Sequence, residues 1–274
     1  MIRIREAAVA GSFYPADPGE LHSAVHRLLD AAPAPAGPAP RALIVPHAGY
    51  VYSGAVAAAA YARLQPYRAR YRRVVLLGPC HGVAVRGLAA SSAGVFRTPL
   101  GDVPVQRCAN EILRHPAVSI IDAAHRAEHS LEVQLPFLQA VLASFELLPL
   151  VVGDADPEDV AAVIDVLWSD PETLVVVSSD LSHYLVYEEA RRQDRGTCRA
   201  IERLDPVKIG HQQACGATPL RGLLIAARRR GLHCVTLDLR NSGDTSGDTS
   251  GDRAGVVGYG SWMFVEEALC DQAA

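Results

Sequence analysis

Short apolar runs that alternate with helix-like stretches are the feature that most restricts how this chain of 274 residues can fold. The first run, Ala42–Val45, is continuous rather than alternating, which is typical of a strand covered on both faces. Comparable patterns predict further strands at 72–77, 145–152, 173–177, 233–239 and 255–265, and helices at 130–142, 157–168, 186–203 and 219–230. Strands that alternate with helices predict an α/β fold with a mostly parallel central sheet flanked by helices.

The composition suits a single domain spanning residues 1–274. Hydrophobic residues make up 49% of the chain and charged residues 20%, which is enough for a large core. The net charge of −4 offers no basic surface for nucleic acid. No apolar run approaches the roughly 18 residues of a membrane span, and the first residues lack the apolar core of a signal peptide. We therefore expect a cytoplasmic protein that binds neither nucleic acid nor membrane.

Two segments have the composition of surface loops. Residues 31–40 are rich in proline and alanine, and they are too few to separate two domains. Residues 241–252 repeat a Ser-Gly-Asp unit, whose acidic spacing invites comparison with calcium-binding loops. The repeat lacks the twelve-residue pattern and the closing glutamate of such loops. We expect a polar surface loop.

The six cysteines are scattered and form no Cys-x-x-Cys pair, so most are expected to be buried free thiols. Cys80 and Cys215 differ from the others because they stand beside glycine or proline in predicted turns. Cys215 also lies in the loop that opens a predicted helix. A helix N-terminus lowers the pKa of a thiol and favours the thiolate, which is the form that attacks carbon or binds metal.

Three of the predicted buried strands end in a turn that carries a histidine. His47 follows the first strand, His81 follows the second, and His183 follows a third together with Asp180. A single histidine at a strand end is usually a hydrogen-bonded turn residue. Three of them indicate a functional site, because parallel strands place their carboxyl ends at one edge of the sheet.

A further polar fragment, Glu128-His129-Ser130, precedes an amphipathic stretch. Ser130 or His129 would stand at the helix N-terminus, a place suited to anions, although a plain N-cap explains Ser130 equally well.

Two chemistries fit this set of residues. Two neutral imidazoles with one anionic ligand and open positions suit non-haem iron, and a thiolate as the anion would also accept zinc or copper. Alternatively, Cys215 could be a nucleophile with His183 as its base and Asp180 orienting that base. The sequence has no nucleophile elbow, P-loop or GxGxxG motif that would support a hydrolase, kinase or dehydrogenase.

Seven fragments together resemble the Memo-like family, whose bacterial and archaeal members are called AmmeMemoRadiSam system protein B. In chain order they are AGSFYP, PHAGYVYSG, LLGPCHG, EHSLEVQLPFL, VVSSDLSHY, ACGATPL and NSGDTSGD with VVGYG. The resemblance runs from about Arg5 to Val265. It implies a fold similar to the catalytic subunits of class III extradiol dioxygenases.

The resemblance also implies roles for particular residues. The metal ligands would be His47, His81 and Cys215, and the other residues of the pocket would be His183, Asp180, His129 and Glu128. The extradiol enzymes use a carboxylate as third ligand where this family has cysteine, so ring-cleaving activity does not carry over. Family members often have a second histidine directly after His81, where this chain has Gly82.

Members of the family are connected with iron or copper binding and redox roles, and animal members with phosphotyrosine-containing receptor segments. Our hypothesis is a mononuclear metal protein, with iron first and copper or zinc as alternatives, acting in redox or oxygen-linked chemistry on an unknown small molecule or peptide. The family name adds a pathway link to a radical-SAM protein and an AMMECR-type protein. The alternatives are a binding module for a peptide or phosphate-bearing ligand, and a cysteine-dependent hydrolase.

Overall fold

The computed structural model describes residues 2–106, 110–245 and 253–266, which form an α/β fold. The strands are β1 Ile4–Arg5, β2 Ala42–Val45, β3 Arg73–Pro79, β4 Leu88–Ala90, β5 Val95–Thr98, β6 Gly101–Pro104, β7 Val118–Ile120, β8 Glu146–Val152, β9 Thr173–Ser178, β10 His183–Leu185, β11 His233–Asn241 and β12 Val256–Val265. The helices are α1 Pro18–Ala31, α2 Tyr50–Tyr61, α3 Asn110–Leu113, α4 Asp122–Arg126, α5 His129–Glu132, α6 Leu135–Val141, α7 Pro157–Leu167, α8 Tyr187–Glu202, α9 Ala217–Arg229 and α10 Ser242–Thr245. Two 3₁₀ turns lie at Ala62–Tyr67 and Pro206–Lys208.

The described residues build one large mixed sheet with the strand order β10-β12-β2-β9-β3-β8-β4-β7, and β11 pairs with β12 from Gly258 to Val265, along the edge of β12 opposite β2. The four strands β2, β9, β3 and β8 run parallel, as the sequence predicts. Antiparallel pairing begins where β12 meets β2 and where β4 meets β8. A parallel centre matters for function because it brings the carboxyl ends of β2, β9 and β3 to the same edge.

The central strands are covered on both faces, which explains their continuous apolar runs. Along β2, Leu43 and Val45 point into one core layer, whereas Ala42 and Ile44 point into the other. Helices α1, α2 and α6 cover the first face and α7 and α9 the second, where Trp168 is fully buried. Because successive side chains of a strand point to opposite faces, every residue of β2 is buried in one of the two core layers.

Local signals set the helix ends. The Asp17 carboxylate accepts a hydrogen bond from the backbone N–H of Glu20 at the start of α1, and Pro18 is its first residue. The predicted helix at 130–142 is wrong in detail: α5 and α6 divide it, because Pro136 has no N–H to continue a helix and stands in the first turn of α6. The N-cap of α5 is Glu128, neither His129 nor Ser130.

A buried ion pair ties the start of the chain to α5. The Glu132 carboxylate pairs with Arg5 and accepts hydrogen bonds from the Tyr14 hydroxyl and from the backbone N–H groups of Ala8 and Val9, at 2.8 and 3.0 Å. Arg5 also donates to the backbone carbonyl of Glu128 at 2.7 Å. Since this carboxylate is fully buried, its four donors replace the water that it loses on folding.

The predicted loops are partly described. Residues 33–38 of the Pro/Ala segment are exposed between α1 and β2. Of the Ser-Gly-Asp segment, residues 241–245 close β11 and form α10, while 246–252 lie outside the described residues. Cys80, Cys198, Cys215 and Cys234 are free thiols, and Cys108 and Cys270 lie outside the described residues. None of the helices in the described ranges is long and apolar enough to cross a membrane.

Candidate metal centre

Three histidine side chains converge at the edge of the sheet where its parallel strands end. His47 follows β2, His81 follows β3, and His129 opens the short helix α5. The ring centroids of His47 lie 5.3 Å from those of both His81 and His129, and the last two rings stack at 4.5 Å. One ligand atom from each side chain lies within 4.8 Å of the other two. We call these three residues the histidine cluster.

We predicted that His47 and His81 approach each other at the carboxyl ends of two neighbouring strands. The approach is confirmed, but the two strands, β2 and β3, are not neighbours. Strand β9 lies between β2 and β3, and it also leads into Asp180. The two imidazoles therefore reach towards each other across the end of an intervening strand.

The His47 ring is held in one tautomer by a chain of hydrogen bonds. The Ser178 hydroxyl donates to the carbonyl of Ser130 at 2.7 Å and accepts from Gln134 Nε2 at 3.0 Å. Its contact of 2.9 Å with His47 Nδ1 must therefore be a second accepted bond, with the proton on Nδ1. Nε2 therefore carries the lone pair and faces the sulfur of Cys215 at 3.2 Å, and this is the tautomer that a metal ligand requires.

His47 is also held neutral. Its exposed fraction is 2%, and burial, together with the nearby His81, lowers its pKa to about 3. The backbone N–H of His47 donates to the Asp180 carboxylate at 2.7 Å. Both the strand end and the imidazole are thus fixed before any ligand binds.

Glu128 orients His81 in a similar way. Its carboxylate accepts from His81 Nδ1 at 2.8 Å, from the backbone N–H of His81 at 2.7 Å and from the backbone N–H of Ser130 at 2.9 Å. Burial disfavours the ionised carboxylate, but these bonds outweigh burial and lower the pKa of Glu128 to about 2. The side-chain bond to Glu128 raises the pKa of His81, and it leaves Nε2 of that ring without a proton in the neutral form.

The third imidazole, His129, is held by packing as well as by charge. Its ring lies 4.6 Å from the ring of Phe13, and its Nδ1 lies 3.5 Å from the Glu128 carboxylate. Burial and the nearby His47 lower the pKa of His129 to about 4, so it is neutral at pH 7. The sequence had assigned His129 to the pocket, and the structure groups it with His47 and His81 at ligand distance.

Cys215 adjoins this group without belonging to it. Its Sγ lies 3.2 Å from His47 Nε2, and the backbone N–H of Asp180 donates to the sulfur at 3.3 Å. Burial, and then the Asp180 carboxylate, raise the pKa of the thiol to about 12. The expectation that the helix N-terminus would lower this pKa is therefore wrong, because desolvation of the thiolate outweighs it.

A glycine sets the position of Cys215. Gly216 precedes α9, and a Cβ at this position would lie 2.8 Å from the carbonyl oxygen of Ser178. The loop can therefore approach the end of β9 only with glycine here, and this approach brings the sulfur beside His47.

Asp180 and His183 lie at the end of β9 but do not act on each other as the sequence suggested. His183 Nδ1 donates to the carbonyl of Leu181 at 2.8 Å, so that carbonyl orients the ring instead of Asp180. His183 is exposed, and its Nε2 is left without a proton. Asp180 turns towards His47 instead, and burial raises the pKa of its carboxyl.

A cavity of 380 Å³ adjoins the thiol side of the site. Both Cys80 and Cys215 line it, with Asp154 and His211 among its polar groups. The described residues of its lining include no lysine or arginine. The cavity therefore suits a small neutral or cationic ligand beside Cys215, and it offers no arginine or lysine to bind a phosphate.

The donor set fits a transition-metal ion. Two nitrogen ligands of one ion, each about 2.1 Å from it, stand no more than about 4.2 Å apart. The cluster's ligand atoms lie within 4.8 Å of one another, so side-chain shifts of well under about 1 Å would close it. Neutral imidazoles beside a thiol suit iron, copper and zinc.

Sequence patterns did not reveal several residues that shape this site. Ser178, Gln134 and Phe13 act through orientation and packing, and His211 lines the cavity. A serine at the end of a buried strand and a glutamine within an amphipathic stretch are weak signals. Both residues are fully buried or nearly so, which only the folded chain reveals.

Comparison with known proteins places these features in context. Residues 5–263 match the sequence model of a family described as Memo-like protein. A MEMO1 family protein of Aquifex aeolicus is 36% identical over 257 residues, covering 89% of this chain and 94% of that protein. A protein memo-1 homolog of Caenorhabditis elegans is 35% identical, covering 81% of this chain and 71% of that protein.

A solved structure shares the fold at low sequence identity. An uncharacterized protein of Escherichia coli K12 superposes with a TM-score of 0.50 at 10% identity, over 81% of this chain and 98% of that one.

Proposed function

The chain belongs to the Memo-like family, and from that premise we propose that its histidine cluster and Cys215 hold one iron ion in a protein with a redox or oxygen-linked role. The observation that carries the proposal is the orientation of two imidazoles. His47 and His81 each commit Nδ1 to an acceptor, Ser178 and Glu128 respectively, and each carries its lone pair on Nε2. The Nε2 atom of His47 faces the Cys215 thiol at 3.2 Å, and that thiol would lose its proton when an ion binds.

Each residue has a separate task in this proposal. His47 and His81 are two ligands, and Cys215 is the anionic one, which must lose its proton when the ion binds. His129 lies close enough to the other two histidines to be an additional ligand or to replace one of the three. Bound iron would supply one-electron redox chemistry, and copper or zinc would occupy the same donors.

The remaining residues hold or move protons. Glu128 keeps the proton on Nδ1 of His81, and Asp180 fixes the backbone at His47. His183 offers an exposed Nε2 as a proton acceptor for a substrate, with its other nitrogen fixed by a carbonyl. The substrate is a small molecule or peptide, and a pathway link to a radical-SAM protein and an AMMECR-type protein belongs to the same proposal.

Two alternatives have less support. A phosphate-bearing ligand in the cavity would meet the carboxylate of Asp154 but no arginine or lysine in the described lining. A cysteine hydrolase would need a thiolate at neutral pH, whereas the pKa of Cys215 is raised to about 12.

Metal analysis of protein purified without oxygen tests the proposal. We expect about one iron per chain, lost in His81→Ala and kept in His115→Ala, a matched substitution of a partly exposed histidine beside α7. Wild-type protein that holds no iron, copper or zinc after purification and reconstitution would overturn it.

A further inference from the structure

A second pair of histidines lies on α1, which is firmly anchored. Asp17 caps this helix of 14 residues, and Leu21, Val25 and Leu29 are buried beneath it. His22 and His26 each follow one of these buried residues, so both stand on the same outer side, one helical turn apart. His22 is exposed and His26 is half-buried.

The two rings already face each other. Their centroids are 4.2 Å apart, and the ring planes are inclined by 40°. Neither imidazole has a hydrogen bond or an ion pair with any residue in the described part of the chain. Both nitrogens of each ring are therefore without a partner among the described residues, whereas His81 and His183 each have Nδ1 engaged.

One turn further along the same side stands Asp30, at a spacing of four residues from His26. Its carboxylate is exposed and likewise has no ion pair among the described residues. At this helical spacing the carboxylate could accept a hydrogen bond from water bound to an ion at the two histidines, and its negative charge favours a cation on this side of the helix.

We propose that His22 and His26 form a second metal site, in which two imidazoles and water hold an exchangeable Cu²⁺ or Zn²⁺ ion. Imidazoles four residues apart on one helix face are within reach of a single ion, and imidazole suits copper and zinc among the divalent ions. Copper should bind more tightly than zinc, following the general order of affinities.

This site differs in kind from the histidine cluster. It lies on the surface of one helix, has no thiol, and leaves most coordination positions to water. Because only the helical conformation keeps the two rings one turn apart, an ion that bridges them favours the folded state of α1.

Titration of the protein with Zn²⁺, after its central site has been loaded, tests the proposal. Calorimetry should detect one additional Zn²⁺ ion, and thermal unfolding should shift to higher temperature with it. His22→Ala and His26→Ala should each lower the association constant of this ion at least tenfold. Both variants should keep the helical circular dichroism, since alanine is the better helix former.

The decisive control keeps the number of histidines and changes only their spacing. The double variant H26A/R27H places the second imidazole five residues from His22, about 140° round the helix, and should bind as weakly as His22→Ala. His115→Ala should leave the additional ion in place. If H26A/R27H binds the additional ion as tightly as wild type, the two histidines bind independently and the proposed site is wrong. The same holds if His22→Ala or His26→Ala lowers the association constant by no more than half.

Discussion

The hydroxyl of Ser178 accepts the proton of His47 Nδ1 at 2.9 Å because its own proton is committed to the carbonyl of Ser130 at 2.7 Å. Two groups that could each donate or accept are thereby restricted to one arrangement. This restriction fixes the orientation and the tautomer of the His47 ring, as the proposed metal site requires.

Ser178→Ala should weaken metal binding about 10- to 100-fold, the usual loss when the partner of a ligand histidine is removed. The metal dissociation constant, measured by competition with a chelator, checks this. Ser261→Ala is the matched control, because Ser261 is also fully buried in a strand but its hydroxyl has no partner among the described residues. Equal affinity in both variants would show that Ser178 does not position His47.

Cys215→Ser should reduce metal retention far more than Cys234→Ser, because an alcohol is a poor ligand at neutral pH. Cys234 is a suitable control, since it is a half-buried thiol on β11. Cys108→Ser, outside the described residues, should also keep the metal. Retention of iron by all three variants would assign Cys215 to packing or to nucleophilic work.

His183→Ala should leave the metal content nearly intact and abolish the oxygen consumption or turnover of the iron-loaded protein. The reason is its position: the ring is exposed, oriented by Leu181, and outside the group of three histidines. Parallel metal analysis and oxygen-electrode measurements distinguish the roles. Loss of iron would make His183 a ligand, and unchanged turnover would leave it a surface residue.

Asp194 should make folding stability depend on pH. Burial raises the pKa of its carboxyl to about 6, although it accepts bonds from the Ser182 backbone and hydroxyl. In the unfolded chain this carboxyl has a pKa of about 3.9, so the folded state binds more protons than the unfolded state between about pH 4 and about pH 6. The protonated Asp194 carboxyl therefore stabilises the fold fully below about pH 4, and this stabilisation is lost as the pH rises through about 6.

Asp194→Asn cannot ionise. Its amide oxygen can accept from the Ser182 backbone N–H, and its NH2 group can donate to the Ser182 hydroxyl, which reverses the direction of that bond. Relative to wild type, the variant should have similar stability near about pH 4 and should gain up to about 3 kcal/mol as the pH rises above about 6. Urea unfolding of both proteins across this range checks the prediction. A difference in stability that does not change with pH would contradict it.

Much of the fold and part of the site could be predicted from the sequence. Continuous apolar runs identify β2, β3, β8 and β9 because both faces of these strands are buried, and the histidines at their ends follow from parallel pairing. Short strands such as β4 and β7, with three residues each, carry too little pattern to be recognised. The antiparallel place of β12 depends on long-range pairing that local sequence does not encode.

The site was less predictable for a similar reason. His129 reaches the histidine cluster because α5 is short and is fixed by Ser130, whose hydroxyl donates to the carbonyl of Pro79 at 3.0 Å. The sequence favoured a longer helix there. His183 follows a strand end as His47 does, but its Nδ1 donates to the backbone carbonyl of Leu181, and its ring is exposed. A single hydrogen bond thus separates His183 from the histidine cluster, and the periodicity of the sequence does not reveal such a bond.

The contact between His47 and Cys215 joins positions 168 residues apart in the chain. During synthesis on a ribosome, at about 5–20 residues per second, all three histidines of the cluster emerge before the cysteine. For some seconds the nascent protein thus presents imidazoles without the thiol that completes the set. In the proposed function, binding of an ion by the full set of donors would therefore follow translation of the cysteine rather than accompany translation of the histidines.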